Sequence, residues 1–371
     1  MKISIEEMKQ KKIDTYCIVD IRAKQEAQKN PILNAIQMSE KEAIDTDFEK
    51  CPVFVCRNGT IAQRVSALFE EQGKEAYYLE GGYFSIVMDK LAQKDEDFYK
   101  KVERSIIKKF RPKIWSKFTK ALKEYKLVNE GDCVGVCISG GKDSMLMAKL
   151  FQELHDHTNV PFDVKFIVMD PGYSPENRRV IEENCRKLHI PIDIYETDIF
   201  ENVVHIQKSP CYICARMRRG HLYAFAEKLG CNKIALGHHY DDVIETILMS
   251  MLYGGQVQTM MPKLHSTNFG NMEIIRPLYF IREDDIKHWA RYNDLYFIQC
   301  ACKFTDDYTT SGDEHASKRQ EIKHLIQELK EVNPFVEANI FKSVENVNLE
   351  TVIAYKTDEG VHHFLDDYDK K

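Results

Sequence analysis

No stretch of this 371-residue sequence comes near the roughly 18 consecutive apolar residues that span a bilayer. It has no internal repeat and no low-complexity tract, which leaves ordinary globular domains, two or three at this length. The first residues, Met1-Lys2-Ile3-Ser4-Ile5-Glu6-Glu7, lack the apolar stretch of a secretion signal, so a cytoplasmic location is the expectation. Net positive charge is missing too: 58 Asp and Glu exceed 52 Lys and Arg. The GxxxxGK(S/T) loop of kinases and GTPases is also absent.

What is present is unevenly distributed. Between Lys100 and Lys126 stand eleven Lys and Arg against Glu103 and Glu124, a net +9 inside a chain of net −6. Such clustered charge suits contacts to nucleic-acid phosphates. Of eleven cysteines, four are grouped as Cys211-x-x-Cys214 and Cys300-x-Cys302, which points to metal or sulfur chemistry rather than disulfides.

The first ninety residues alternate short β and α units: strands at Cys17–Val19, Val53–Val55 and Ala76–Leu79, and a helical pattern through Ala62–Gln72. Residues 94–126 are helix-periodic, with Ile106, Ile107, Phe110, Ile114, Phe118 and Leu122 on one stripe and Pro112 as a break. From Asp132 strands and helices alternate: Cys133–Ile138, Ser144–His155, Val164–Met169, Pro175–Leu188, Ile192–Thr197 and Lys233–Leu236. Further strands are expected at Ile275–Leu278 and Tyr296–Ile298. The pattern implies α/β architecture with a doubly wound parallel sheet. The boundaries expected are 1–93 for a small α/β domain, 94–128 for a basic helical linker, 129–345 for the large domain and 346–371 for a tail.

After the strand Val134–Ile138 comes Ser139-Gly140-Gly141-Lys142-Asp143-Ser144, opening directly into a helix. Such a turn aims backbone N–H groups and a helix N-terminus at one point, which suits a phosphate. Lys142 adds a cation, and Asp143 can hold a magnesium ion. The motif resembles the signature of the PP-loop (ATP-pyrophosphatase) superfamily. That resemblance implies cleavage of ATP between the α- and β-phosphates and adenylation of a substrate oxygen, with Lys142 and Asp143 catalytic. Gly237-His238-His239-Tyr240-Asp241-Asp242 resembles the second family motif. Ser139, Gly140, Gly141, Lys142, Asp143, Ser144, Met169, Gly237, His238, Asp241 and Asp242 are thereby assigned to ATP and magnesium.

Residues 108–348 resemble the tRNA 2-thiocytidine synthase branch in order: the basic helices, SGGKDS, Pro210-Cys211-x-x-Cys214 with Arg216, Arg218 and Arg219, the GHHxDD element, Tyr253-Gly254-Gly255 and Ile275-Arg276-Pro277-Leu278. The resemblance implies a [4Fe–4S] cluster on three cysteines, mapped onto Cys211, Cys214 and Cys300, with Cys302 as rival for the third place. Here the usual Pro-Cys-x-x-Cys element reads Gln299-Cys300-Ala301-Cys302. Tetrahedral zinc on all four cysteines stays open, and Arg216, Arg218 and Arg219 are candidates for RNA phosphate.

Val19-Asp20-Ile21-Arg22, Val55-Cys56-Arg57-Asn58-Gly59-Thr60-Ile61 and Leu79-Glu80-Gly81-Gly82-Tyr83 resemble a rhodanese domain. That implies a persulfide on Cys56, its thiolate stabilised by loop N–H groups, a helix N-terminus and Arg57. Ile61 replaces the arginine of many active rhodaneses, and their histidine-glycine feature before Ala35 is missing, which implies little activity toward thiosulfate. The leading function is ATP-dependent thiolation of a tRNA base. The expected partners are tRNA, a sulfur donor such as a cysteine desulfurase or free sulfide, and a second copy in a homodimer. Two other readings remain open: the same chemistry on a free base or small molecule, and a non-catalytic iron–sulfur or zinc sensor that binds nucleotide.

Overall fold

The computed structural model describes residues 1–10, 15–92, 97–200, 210–266, 269–298 and 318–368. Its N-terminal unit contains β1 (Lys2–Ile3), β2 (Tyr16–Asp20), β3 (Ala35–Gln37), β4 (Cys51–Val55) and β5 (Tyr77–Leu79) in the order β1-β5-β4-β2-β3, every neighbour parallel. Parallel neighbours need crossover connections. Helices α1 (Ile5–Gln10), α2 (Lys24–Lys29), α3 (Glu40–Ile44) and α4 (Thr60–Glu71) supply them, and α5 (Gly82–Ala92) follows the last strand. Alternation along β4 sends Phe54 to a small core with Val19, Val65 and Phe69. Val53 and Val55 point to the other face, where they join a core shared with the rest of the chain.

The basic segment is not a free-standing linker. Helices α6 (Phe98–Ile107) and α7 (Ser116–Glu124), joined through one turn of π-helix at Arg111–Trp115, bury Val102, Ile106, Phe110, Ile114 and Phe118 completely or nearly so. Pro112 sits near the start of that turn, where its missing N–H costs nothing. Lys101, Arg104, Lys108, Lys109, Arg111, Lys113, Lys120 and Lys123 stay exposed on the opposite side. The apolar stripe is thus the anchor, and the charge faces solvent.

In the large unit, β6 (Cys133–Ile138), β7 (Asp163–Asp170), β8 (Ile192–Glu196), β9 (Lys233–Ala235), β10 (Lys263–His265) and β11 (Glu273–Ile275) form a sheet of order β10-β11-β9-β6-β7-β8. Only the β10–β11 pair is antiparallel. The chain moves outward from β6 through β7 to β8, then returns to β9 on the other flank of β6. That reversal makes a crevice at the carboxyl ends of β6 and β9, where open α/β sheets bind ligands.

The helices of this unit are α8 (Lys142–His157), α9 (Pro175–Lys187), α10 (Pro210–Lys228), α11 (Tyr240–Gly254), α12 (Glu283–Tyr292), α13 (Lys318–Val332) and α14 (Val336–Ser343). Every side chain of α8 from Met145 to Phe151 is fully buried, because the sheet covers one side and the basic helices the other. Phe118 meets Phe151 edge-on at 5.6 Å. Even Lys149 is enclosed, its Nζ donating to Glu103 at 2.6 Å, Gln152 at 2.8 Å and the Leu188 carbonyl at 3.0 Å. At the end of the described chain, β12 (Ala354–Thr357) and β13 (Gly360–His363) form an exposed antiparallel hairpin.

Two expected strands differ from the structure. β11 ends at Ile275, so Arg276-Pro277-Leu278 turns away from the sheet. Tyr296–Ile298 is not a strand: the Tyr296 carbonyl accepts from Asn184 Nδ2 at 2.9 Å, and the side chains fill gaps between helices and loops.

Candidate nucleotide and sulfur sites

The Ser139–Ser144 loop lies at the switch point. Gly140 has φ +82, and a Cβ there would stand 2.6 Å from Ile181 and from Ile298, so only glycine fits. Ser144, at the start of α8, accepts from the Ser139 N–H at 3.2 Å and fixes the turn. Gly237 lies so close that an added Cβ would meet the Ser144 nitrogen at 3.3 Å. The second motif is therefore pressed against the first. Met169 is buried at the penultimate position of β7, on the same edge of the sheet.

His239 caps α11: its N–H donates to Asp242 Oδ2 at 3.0 Å, and its Nδ1 accepts from the Asp242 N–H at 3.4 Å. Its Nε2 stands 3.9 Å from Asp143 Oδ1. That oxygen is buried without a hydrogen-bond partner, which fits a carboxylate kept for a cation. Asp143 and Asp242 thus flank one imidazole. Asp241, 3.8 Å from His239 Nδ1, is taken up by other partners, pairing with Arg282 at 2.9 Å and accepting from the Glu283 N–H at 2.7 Å. In this arrangement it holds α12 in place.

Three groups at this site are invisible to motif reading. Glu283 accepts Lys142 at 3.1 Å on one oxygen and Lys323 at 3.2 Å on the other. Arg319 pairs with Asp242 at 3.1 Å. Burial acts to lower the Lys142 pKa, but Asp143 and Glu283 outweigh it and raise it, so this side chain is a fixed cation. Behind them Glu245 is 3% exposed, and burial pushes its carboxyl up to about 7 against the pull of Lys323 and Arg319. His238 accepts from Arg276 Nε at 3.3 Å; burial, then the Arg276 charge, push its pKa down to about 4, so the ring is neutral near pH 7. The i,i+4 spacing of Arg319 and Lys323 on one face of α13 is the only sequence signal that could have drawn attention to them.

Cys56 follows β4, and its Sγ accepts the N–H groups of Gly59 at 3.2 Å and Ala62 at 3.3 Å, at the N-terminus of α4. Gly82 braces the loop: a Cβ there would stand 2.3 Å from the Cys56 carbonyl oxygen, and the Tyr83 N–H donates to that oxygen at 2.8 Å. Cys56 is 2% exposed. Arg22, held by Asp20 at 2.6 and 2.9 Å, stacks 3.7 Å over the Tyr83 ring. Tyr83 in turn meets Tyr296 edge-on at 5.5 Å. Two residues along, Ile298 is the side chain packed on Gly140. One short segment therefore touches both loops.

Cys211 and Cys214 fall in the first turn of α10, with their side chains outside the description. Cys300 and Cys302 lie outside the described residues.

Residues 111–311 match the family model of the PP-loop domain, and residues 4–89 match that of the rhodanese-like domain. The chain belongs to the PP-loop family. Within this PP-loop protein, 233 residues are 38% identical to the tRNA-cytidine(32) 2-sulfurtransferase of Alkalilimnicola ehrlichii, covering 61% of this chain and 70% of the relative. Another 2-sulfurtransferase of the same name, from Alcanivorax borkumensis, is 36% identical over 251 residues, 66% of this chain and 84% of the relative. Among solved structures, the U34-tRNA thiolase NcsA from Methanococcus maripaludis with its [4Fe-4S] cluster is 21% identical with a TM-score of 0.49, over 64% of this chain and 80% of that one.

Proposed function

We propose that this PP-loop protein is an ATP-dependent tRNA sulfurtransferase: it adenylates a base oxygen, that of cytidine C2, releases pyrophosphate, and then replaces the oxygen with sulfur as AMP leaves. The observation that carries the reading is the orphaned Asp143 oxygen beside Lys142, at the switch point where the two motifs meet. Magnesium keeps several waters and commonly takes one or two carboxylates plus substrate phosphates, which Asp143 and Asp242 would provide. Lys142 and the N–H groups opening α8 would bind the phosphates. His238, neutral and tethered by Arg276, is a hydrogen-bond donor through Nε2. The exposed Lys and Arg of α6 and α7 form the face for tRNA phosphates.

Sulfur enters at Cys56. Two N–H donors and a helix N-terminus stabilise a thiolate or a persulfide anion there. The outer sulfur passes to a second thiolate by exchange, which forms one S–S bond as it breaks another and needs no oxidant. Release at the level of sulfide takes two electrons from a thiol reductant. A [4Fe–4S] cluster on Cys211, Cys214 and Cys300 would offer one open iron to sulfide. The donor to Cys56 is a cysteine desulfurase, which delivers sulfur already at the persulfide level; free sulfide would bypass Cys56 and enter at the later, sulfide-level step.

The test is tRNA-dependent release of AMP and pyrophosphate, with nucleoside mass spectrometry of the product. Gain of 2-thiocytidine is expected; release of ADP and phosphate sinks the reading. Cys56→Ser should block thiolation fed by a desulfurase and spare thiolation fed by sulfide. Equal loss with both sources would remove Cys56 from the sulfur path.

A further inference from the structure

The acidic side of the nucleotide site is neutralised in an unusual way. Lys142 takes one oxygen of Glu283 at 3.1 Å, and Lys323, at 3.2 Å, shares the other with Lys287 at 3.0 Å, so Lys323 stands across that carboxylate from the loop lysine. Arg319, one turn earlier on α13, pairs with Asp242 at 3.1 Å and approaches Glu245 at 3.4 Å. Glu245 is 3% exposed, and its nearer oxygen makes no hydrogen bond, so the pairing there is incomplete. Arg319 and Lys323 are about two-fifths exposed, and such half-exposed ion pairs hold their partners weakly. Arg319 also occupies the carboxylate that magnesium would need.

A magnesium–pyrophosphate group resolves both conflicts at once. Asp242 would exchange Arg319 for the metal, and Arg319 and Lys323 would exchange their carboxylate partners for phosphate oxygens. Arginine is suited to that exchange, because its planar fork matches phosphate as well as carboxylate. We propose that Arg319 and Lys323, presented by helix α13, are two further pyrophosphate-binding side chains of this site, opposite Lys142. The proposal rests on the adenylation reading. It gives α13, which lies outside both family motifs, a direct part in binding the leaving group.

The experiment is calorimetric titration of the full-length protein with magnesium pyrophosphate and, separately, with AMP. Arg319→Ala should weaken magnesium pyrophosphate at least tenfold and leave AMP unchanged, with Arg319→Lys recovering part of the loss; Lys323→Ala should act in the same direction. Unchanged pyrophosphate affinity in Arg319→Ala overturns the proposal. Tighter binding also overturns it, by showing that Arg319 only competes with the metal for Asp242. Parallel loss of pyrophosphate and AMP would assign both residues to support of the fold. A wild-type chain that binds neither ligand overturns the adenylation reading, and this inference with it.

Discussion

At the scale of single residues, Asp143 and His238 have opposite electrostatic tasks. Asp143 keeps one oxygen buried and unbonded, which suits the cation-ligand role proposed for it. Asp143→Asn should lower pyrophosphate release by about two orders of magnitude or more, the scale on which preorganised charge acts, while the unfolding midpoint stays put. Unfolding of the variant would make the residue structural. His238 keeps its ring neutral down to about pH 4, against 6.5 in the unfolded chain. Above pH 6.5 neither state binds the proton, so stability is full. As pH falls toward 4 the unfolded chain takes up a proton that the folded one refuses, and stability is lost across that window. Denaturant midpoints at pH 7 and pH 5 should therefore fall further for wild type than for His238→Gln. Equal falls would remove His238 as the cause.

The residues just named were legible because their chemistry is contiguous: SGGKDS carries glycine, cation and carboxylate in one run, and GHHYDD carries glycine, imidazoles and carboxylates. Glu283, Arg319 and Lys323 were not legible, since each sits on an ordinary charged helix. Their meeting with Lys142 depends on separations of 140 residues or more that only the fold closes.

At the scale of elements, hydrophobic period proved the stronger guide and aromatic content the weaker. The stripe Ile106, Phe110, Ile114, Phe118 was readable, and all four are buried against the large unit. Phe118 contacts Trp115 and Phe151 and is fully enclosed, so Phe118→Ala should destabilise the protein by about 3–5 kcal/mol, as truncation of core aromatics does. A denaturation curve shifted by less than about 1 kcal/mol would show that the basic helices are loosely attached. Tyr296–Ile298 has strand-like composition, yet its apolar side chains serve three different neighbours. Tyr296 meets Tyr83, Phe297 stacks on Trp289 at 6.2 Å, and Ile298 covers Gly140. Period-two logic assumes one buried face, and here there are three partners and no ladder.

At the scale of the whole molecule, the sulfur chemistry proposed at Cys56 has to reach the nucleotide chemistry proposed at Asp143. A continuous apolar core runs from Ile3 and Val55 through α5 and the basic helices to β6, so the two units are packed together. The segment beside both loops, Tyr296–Ile298, leads directly into Cys300. Cys211 and Cys214 open α10, and two thiolates at this spacing can grip one cluster. The third ligand we propose is Cys300, two residues in sequence from the isoleucine that seals the nucleotide loop. Anaerobic purification with iron, sulfide and zinc analysis decides it: Cys300→Ser should lose the four irons and Cys302→Ser should keep them. The reverse pattern would exchange their roles, and one zinc without sulfide would replace the cluster with a structural metal held by the same thiolates.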